Sequence, residues 1–391
     1  MLGEPIIDYP FEYMATKRGQ TTTALLIQNM AMLIVLFCLH AFDLVSTLER
    51  QDIIITSKPT LEDALVSNDC SAVRNLSTDL FKESTEFPSF ISAHFNAGNM
   101  ACWSSVLDAY YDVLIRPDWV NPQSPYKGKL TESAPVPEKS YPMAELNSNG
   151  HTEILQITGQ SKSSVSMKRA HTNNGKAWNF GEDAVGRSED KQFYVVADGV
   201  GGASHSEVVS FAMAYLSVFM YEESKFDLLA ASFSLIDALQ LFLKRARLSG
   251  STTLLLGRIS KDKSTLQVVN IGDCVAMVHD ANGQVKFLSN EQWWAPNTPY
   301  QLNYNSQFMS RLADRYSVKL ESKDTVLLYS DGIADNVWPM QIARTRSAAH
   351  LLQVALQQAR GSIGTDIPFS EKMGMQLYGK MDDMTIVRLV I

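Results

Sequence analysis

From about residue 151 onward the chain alternates short apolar runs with polar turns, and before that it does not. Runs with no polar break, such as Phe-Tyr-Val-Val-Ala at 193–197, predict strands covered on both faces. Strands are expected at 153–158, 193–197, 252–259, 266–270, 275–279, 285–288, 325–329 and 384–391. Asn282-Gly283 is a hairpin turn between two of them. Helices are predicted over 204–220, where Ser204-His-Ser-Glu207 has capping-box spacing, over 228–248, and over 340–359. Phe211, Met213, Tyr215 and Phe219 read as core of the first of these helices, and Leu351, Leu352, Ala355 and Leu356 as core of the last. This mixed order predicts an α+β sandwich and not a parallel βαβ sheet.

The N-terminal part is less regular. Residues 1–50 form a leader in which 24–46 is a candidate single-pass membrane anchor, uncharged from Ala24 to Phe42 and about long enough to span a bilayer. Lys17 and Arg18 precede it, and Arg50 and Lys58 follow, so charge does not set a topology. Residues 51–150 stay unassigned apart from a short helix over 105–115 and a linker at 117–142, which holds six of the fourteen prolines. The net charge of -8 argues against nucleic acid as a partner. Cys38, Cys70, Cys102 and Cys274 are scattered, a spacing that indicates neither a disulfide framework nor a zinc site and is compatible with a reducing compartment. Nothing in the chain sets an oligomeric state.

Chemistry enters through acids at strand ends. Asp198 closes the run 193–197, Asp273 follows Val-Val-Asn-Ile-Gly, Asp331 follows Val-Leu-Leu-Tyr-Ser, and Asp382-Asp383 precedes the last run. Glu182-Asp183 lies upstream. A single Asp-Gly is usually only a turn. A set of carboxylates without His or Cys suits hard divalent cations. Cys274 reads as core, and Trp293 and Trp294 as buried packing.

Taken in order, Gly181-Glu-Asp-Ala184, Ala197-Asp-Gly-Val-Gly-Gly202, Gly250-Ser-Thr-Thr253, Asn270-Ile-Gly-Asp273, Ser330-Asp-Gly-Ile-Ala-Asp335 and Asp382-Asp-Met-Thr-Ile386 resemble the signature segments of metal-dependent type 2C (PPM-type) Ser/Thr protein phosphatases. The Asp-Gly-Val-Gly-Gly form and Gly379-Lys-Met-Asp-Asp383 look like the mitochondrial subfamily. The resemblance covers 151–391. It implies a four-layer α-β-β-α sandwich and two Mg²⁺ or Mn²⁺ ions, with a third, weaker one served by Asp273 and Asp331. Asp198 would bridge the two metals, the Gly199 carbonyl would bind one, and Asp331 and Asp382 the other. Glu182 and Asp183 would hold metal-bound waters, and Asp383 shares with Asp382 an ambiguity of one residue.

Catalysis would then fall to Asp198 and Asp331, acting through water that the metals activate on a phosphoprotein substrate. The resemblance also implies a mitochondrial setting. Two departures stand out. Val200 occupies the place of a His that many members carry as a proton donor, leaving a metal-bound water, and after it His205, as the candidates. The usual phosphate-binding Arg is missing, so Lys168, Arg169, His171 and Lys176 are the candidates. These gaps keep two alternatives in view: a pseudophosphatase acting as a regulatory binding module, and a phosphatase of small phosphometabolites.

Overall fold

The computed structural model describes residues 60–97, 101–116, 144–146, 152–157, 177–201, 203, 205–361, 366–375 and 378–391. The candidate anchor at 24–46 and the linker at 117–142 lie outside them. Among the described residues no helix is long and apolar enough to cross a membrane.

Two six-stranded antiparallel sheets carry the fold. The first is built from β1 (Ala144–Leu146), β2 (Thr152–Ile157), β8 (Val275–His279), β9 (Val285–Leu288), β13 (Thr325–Tyr329) and β14 (Met384–Val390), in the order β1-β2-β14-β13-β8-β9. The second is built from β3 (Ala177–Phe180), β4 (Asp183–Arg187), β5 (Phe193–Ala197), β6 (Leu254–Ile259), β7 (Thr265–Ile271) and β12 (Asp314–Lys319), in the order β12-β7-β6-β5-β4-β3. A small ribbon, β10 (Trp293–Ala295) with β11 (Thr298–Pro299), stands apart.

The apolar runs of the inner strands are continuous because those strands pack on both sides, as β5 and β13 do. In β5, Tyr194 and Val196 join the core between the sheets, while Phe193, Val195 and Ala197 face the helical layer behind it. In β13, Val326 and Leu328 enter the middle core, whereas Leu327 and Tyr329 meet helices on the other side. The expected α-β-β-α sandwich is the observed architecture.

The helices in chain order are α1 (Leu61–Ser67), α2 (Cys70–Glu83), α3 (Ser89–Asn96), α4 (Trp103–Tyr110), α5 (Ser206–Ser224), α6 (Leu228–Ala246), α7 (Met309–Leu312), α8 (Asp331–Ala334), α9 (Pro339–Ala343), α10 (Ala348–Ala359) and α11 (Pro368–Met373). Three details differ from expectation. The predicted capping box is not what opens α5: His205 is its N-cap in a left-handed conformation with no side-chain cap bond, and Ser206 Oγ donates to the Val200 carbonyl instead. The helix expected over 340–359 is two, because Ser347 caps a new start, its Oγ accepting from the His350 N–H at 3.2 Å. Trp294 is 62% exposed, where burial was expected; its ring lies 4.2 Å from that of Tyr300.

The region left unassigned by the sequence forms α1–α4, with the 105–115 expectation realised as α4 followed by the π-helical turn Tyr111–Ile115. Phe81, Phe87, Phe95, Trp103 and Tyr110 pack as one aromatic group with Phe242 of α6. Trp103 Nε1 donates to the Val208 carbonyl in α5, and Tyr215 of α5 donates to Asp108. Cys70 and Cys102 are joined in a disulfide, which corrects the expectation drawn from scattered spacing. The two lie 32 residues apart, and only the fold brings the start of α2 beside the residue before α4.

Candidate metal centre

The strand ends gather the acids from both sheets. Asp183 opens β4 and Asp198 follows β5; Asp273 lies between β7 and β8; Asp331 follows β13 and begins α8; Asp382 and Asp383 lead into β14. The two sheets are tied together there. Asp183 Oδ2 accepts from Ser330 Oγ at 2.8 Å and from Thr385 Oγ1 at 2.7 Å, both on the opposite sheet. Glu182 N–H donates to Asp383 Oδ2 at 2.7 Å. The Asp198 backbone is fixed by Thr253, whose N–H donates to the Asp198 carbonyl at 2.8 Å while its Oγ1 accepts from the Asp198 N–H at 3.1 Å.

Glycines let these segments approach so closely. A Cβ on Gly332 would stand 2.0 Å from the Asp383 carbonyl oxygen, and one on Gly199 would stand 2.5 Å from that of Glu182. The glycines after Asp198 and Asp331 therefore make room for a neighbouring acid segment.

Asp183, Asp198, Asp273, Asp331 and Asp383 are all buried. Burial and then the neighbouring Asp383 push the Asp183 carboxyl well up; burial, Asp183 and Asp331 do the same to Asp198. Asp273 is raised by burial and by Asp331. Glu182 is raised to about 7, by burial and then Asp383, and Asp382 to about 7, by burial and then Asp331. Asp331 goes the other way. Burial opposes its charge, but the Lys380 ammonium and hydrogen bonds from Lys380 and Asp198 hold it below the ordinary value.

So many adjacent carboxylates need positive charge. One oxygen each of Asp183, Asp273 and Asp331 is buried with no hydrogen-bond donor. Among the described residues no three Asp, Glu, His or Cys side chains close on a single point. An Mg²⁺-type ion keeps several of its own waters and needs few direct carboxylates, so an all-oxygen, loosely gathered set fits it. The residues present suit hard divalent cations.

Residues 170–362 match the family profile described as Protein phosphatase 2C. The chain carries a protein phosphatase 2C domain. Protein phosphatase PTC7 homolog fig of Drosophila willistoni is 26% identical over 287 residues, covering 64% of this chain and 88% of that protein. Probable protein phosphatase 2C 71 of Oryza sativa subsp. japonica is 30% identical over 236 residues, 55% of this chain and 49% of that protein. Among solved structures, the photosystem II phosphatase PBCP is 21% identical at a TM-score of 0.49, covering 61% of this chain and 98% of that one. The profile match ends before Asp382 and Asp383; β14 is what carries them to the other acids.

All the sequence-derived acids of the phosphatase 2C domain fall at this one end, with Gly199 among them. The phosphate-binding candidates Lys168, Arg169, His171 and Lys176 lie outside the described residues. His205 sits at the start of α5 with Nδ1 3.3 Å from Glu207 Oε1. Cys274 is buried beside Thr253 Oγ1, as a core residue would be.

Sequence reasoning missed Asp335, Lys372 and Lys380. Lys380 Nζ pairs with Asp331, with Asp335 Oδ2 at 2.9 Å and with Asp382 Oδ2 at 3.3 Å; Lys372 Nζ reaches Asp335 Oδ1 and Glu291 Oε2, each at 2.7 Å. The signal for Asp335 was its spacing of four residues from Asp331, which puts both on one helical face. Lys380 had no such signal, because its partners come from other segments.

Proposed function

We propose that this chain is a metal-dependent Ser/Thr phosphoprotein phosphatase. The observation that carries the reading is the set of buried carboxylates drawn from both sheets to one end of the sandwich, with oxygens on Asp183, Asp273 and Asp331 left without donors. The match to the phosphatase 2C family supports it. Asp198, the Gly199 carbonyl, Asp331 and Asp382 would hold two Mg²⁺ or Mn²⁺ ions, and Glu182, Asp183 and Asp383 would orient the ions' waters. Bound there, the ions would supply hydroxide near neutral pH and the charge to offset a phosphate dianion.

The protein's own part is positioning. Asp183 is fixed across the sheets by Ser330 and Thr385, Asp198 by Thr253, and Asp382-Asp383 by the contact of their backbone with Gly332. No cysteine or serine nucleophile is needed. The assay is phosphate release by the full chain with Mn²⁺ from a phosphothreonine peptide and from small phosphate monoesters. Turnover favouring the peptide is expected; faster turnover of the small esters would move the substrate class to metabolites.

For the compartment, the subfamily resemblance supports a mitochondrial setting. The Cys70–Cys102 disulfide favours an oxidising side of any such membrane. Alkylating free thiols in intact cells, before and after reduction, tests this, and two thiols trapped without reduction would oppose it.

A further inference from the structure

Lys380 differs from a surface lysine that happens to lie near acids. Its backbone is clamped: the Lys380 N–H donates to Asn336 Oδ1 at 3.0 Å, and Asn336 Nδ2 donates to the Lys380 carbonyl at 2.7 Å and to the Gly332 carbonyl at 2.8 Å. Its side chain is only 16% exposed, and its ammonium is held by Asp331, Asp335 and Asp382. Taking an ammonium out of water is unfavourable unless carboxylates compensate it, and here three do. Asp273, behind them, also feels its charge.

The charge is therefore distributed unequally. At one side, Asp331, Asp335 and Asp382 share Lys380, and Lys372 adds a second cation between Asp335 and Glu291. At the other, Glu182, Asp183 and Asp198 have no basic side chain in ion-pair contact among the described residues. A divalent cation approaching the first side meets a fixed positive charge; one approaching the second meets none among the described residues.

We propose that Lys380 is a resident cation of the centre, occupying the Asp273–Asp331–Asp335 side and so limiting how many divalent ions the domain binds. This rests on the metal-centre reading above. Lys380 is a positioning residue: it acts through the carboxylates it holds, by giving Asp335 a partner charge that cannot dissociate and setting that charge near Asp273, while Asp198 and Asp331 are left to share metal. The third, weaker ion implied by the family resemblance is then replaced by a side chain.

The test counts bound Mn²⁺ on the full chain by electron paramagnetic resonance of the free ion and by calorimetry. The unaltered chain is expected to bind two ions. Lys380→Met is expected to bind one more, Lys380→Arg none more, and Lys380→Met with Asp335→Asn to lose the added ion. Three ions on the unaltered chain would overturn the proposal whether or not any variant folds, and so would a folded Lys380→Met with an unchanged count. An unaltered chain that binds no Mn²⁺ would instead overturn the metal-centre reading, and this inference with it.

Discussion

Glu182 and Asp382 hold their protons up to about 7, against ordinary values of 4.5 and 3.8, because they are partly buried beside other carboxylates. Between those limits the folded metal-free chain binds more protons than the unfolded chain. Stability from this source is fully present below the unfolded values and is lost as pH rises through 7. The melting temperature of the metal-free protein should therefore fall between about pH 5 and about pH 8, while Mn²⁺ affinity should climb over the same interval, since carboxylates bind metal deprotonated. Melting scans in chelator and Mn²⁺ titrations check both; a flat profile in each would mean the two acids do not titrate together as described. At this scale the sequence was most informative about aspartates beside glycine. It was silent about Lys380 and Lys372, because a lysine's partners are set by tertiary contact.

Among the elements, α8 shows how a local sequence rule becomes a site. Asp331-Gly-Ile-Ala-Asp335 makes one helical turn, and Gly332 leaves room for the Asp383 backbone to lie against it. Gly332→Ala would place a methyl 2.0 Å from a backbone oxygen that has no side-chain freedom to move away. The substitution should cost about 1–3 kcal/mol by overpacking. It should also weaken Mn²⁺ binding, since Asp382 and Asp383 must shift away from Asp331. Chemical unfolding and calorimetry measure the two effects, and unchanged values in both would show that the close approach is not needed. Strands such as β5 and β13 were legible because runs buried on two faces leave an unbroken apolar signature, whereas β1, β3, β4 and β12 were not expected from the sequence. The break between α9 and α10 was not, since both halves share a helical apolar pattern and only the Ser347 cap separates them.

In the whole molecule, the boundary placed by sequence at residue 151 cuts through a packed unit. Trp103, Tyr110, Phe95 and Phe87 are buried with Phe242, and Trp103 binds the first turn of α5, the helix that follows the Asp198 loop. The sequence concealed this because four short helices give weak periodicity and their apolar faces match only surfaces formed elsewhere. A chain starting at residue 145 would expose that aromatic surface, and it should express as aggregate or melt well below a chain starting at residue 59. Equal melting temperatures for the two would show that α1–α4 are dispensable.

The central claim, that the gathered carboxylates form a divalent-metal hydrolytic centre, rests most directly on Asp198. It is buried, and its carboxyl is pushed up by burial and by neighbouring acids of both sheets, Asp183 and Asp331. The decisive measurement is phosphate release from a phosphothreonine peptide by the full chain and by Asp198→Asn, each with Mn²⁺ and with chelator. The account predicts Mn²⁺-dependent turnover abolished by chelator, and a loss of about 10²–10³-fold or more in the variant, the scale of removing one preorganised electrostatic group, with the fold retained by circular dichroism. Turnover that survives chelator, or a folded Asp198→Asn with unchanged activity, would contradict it.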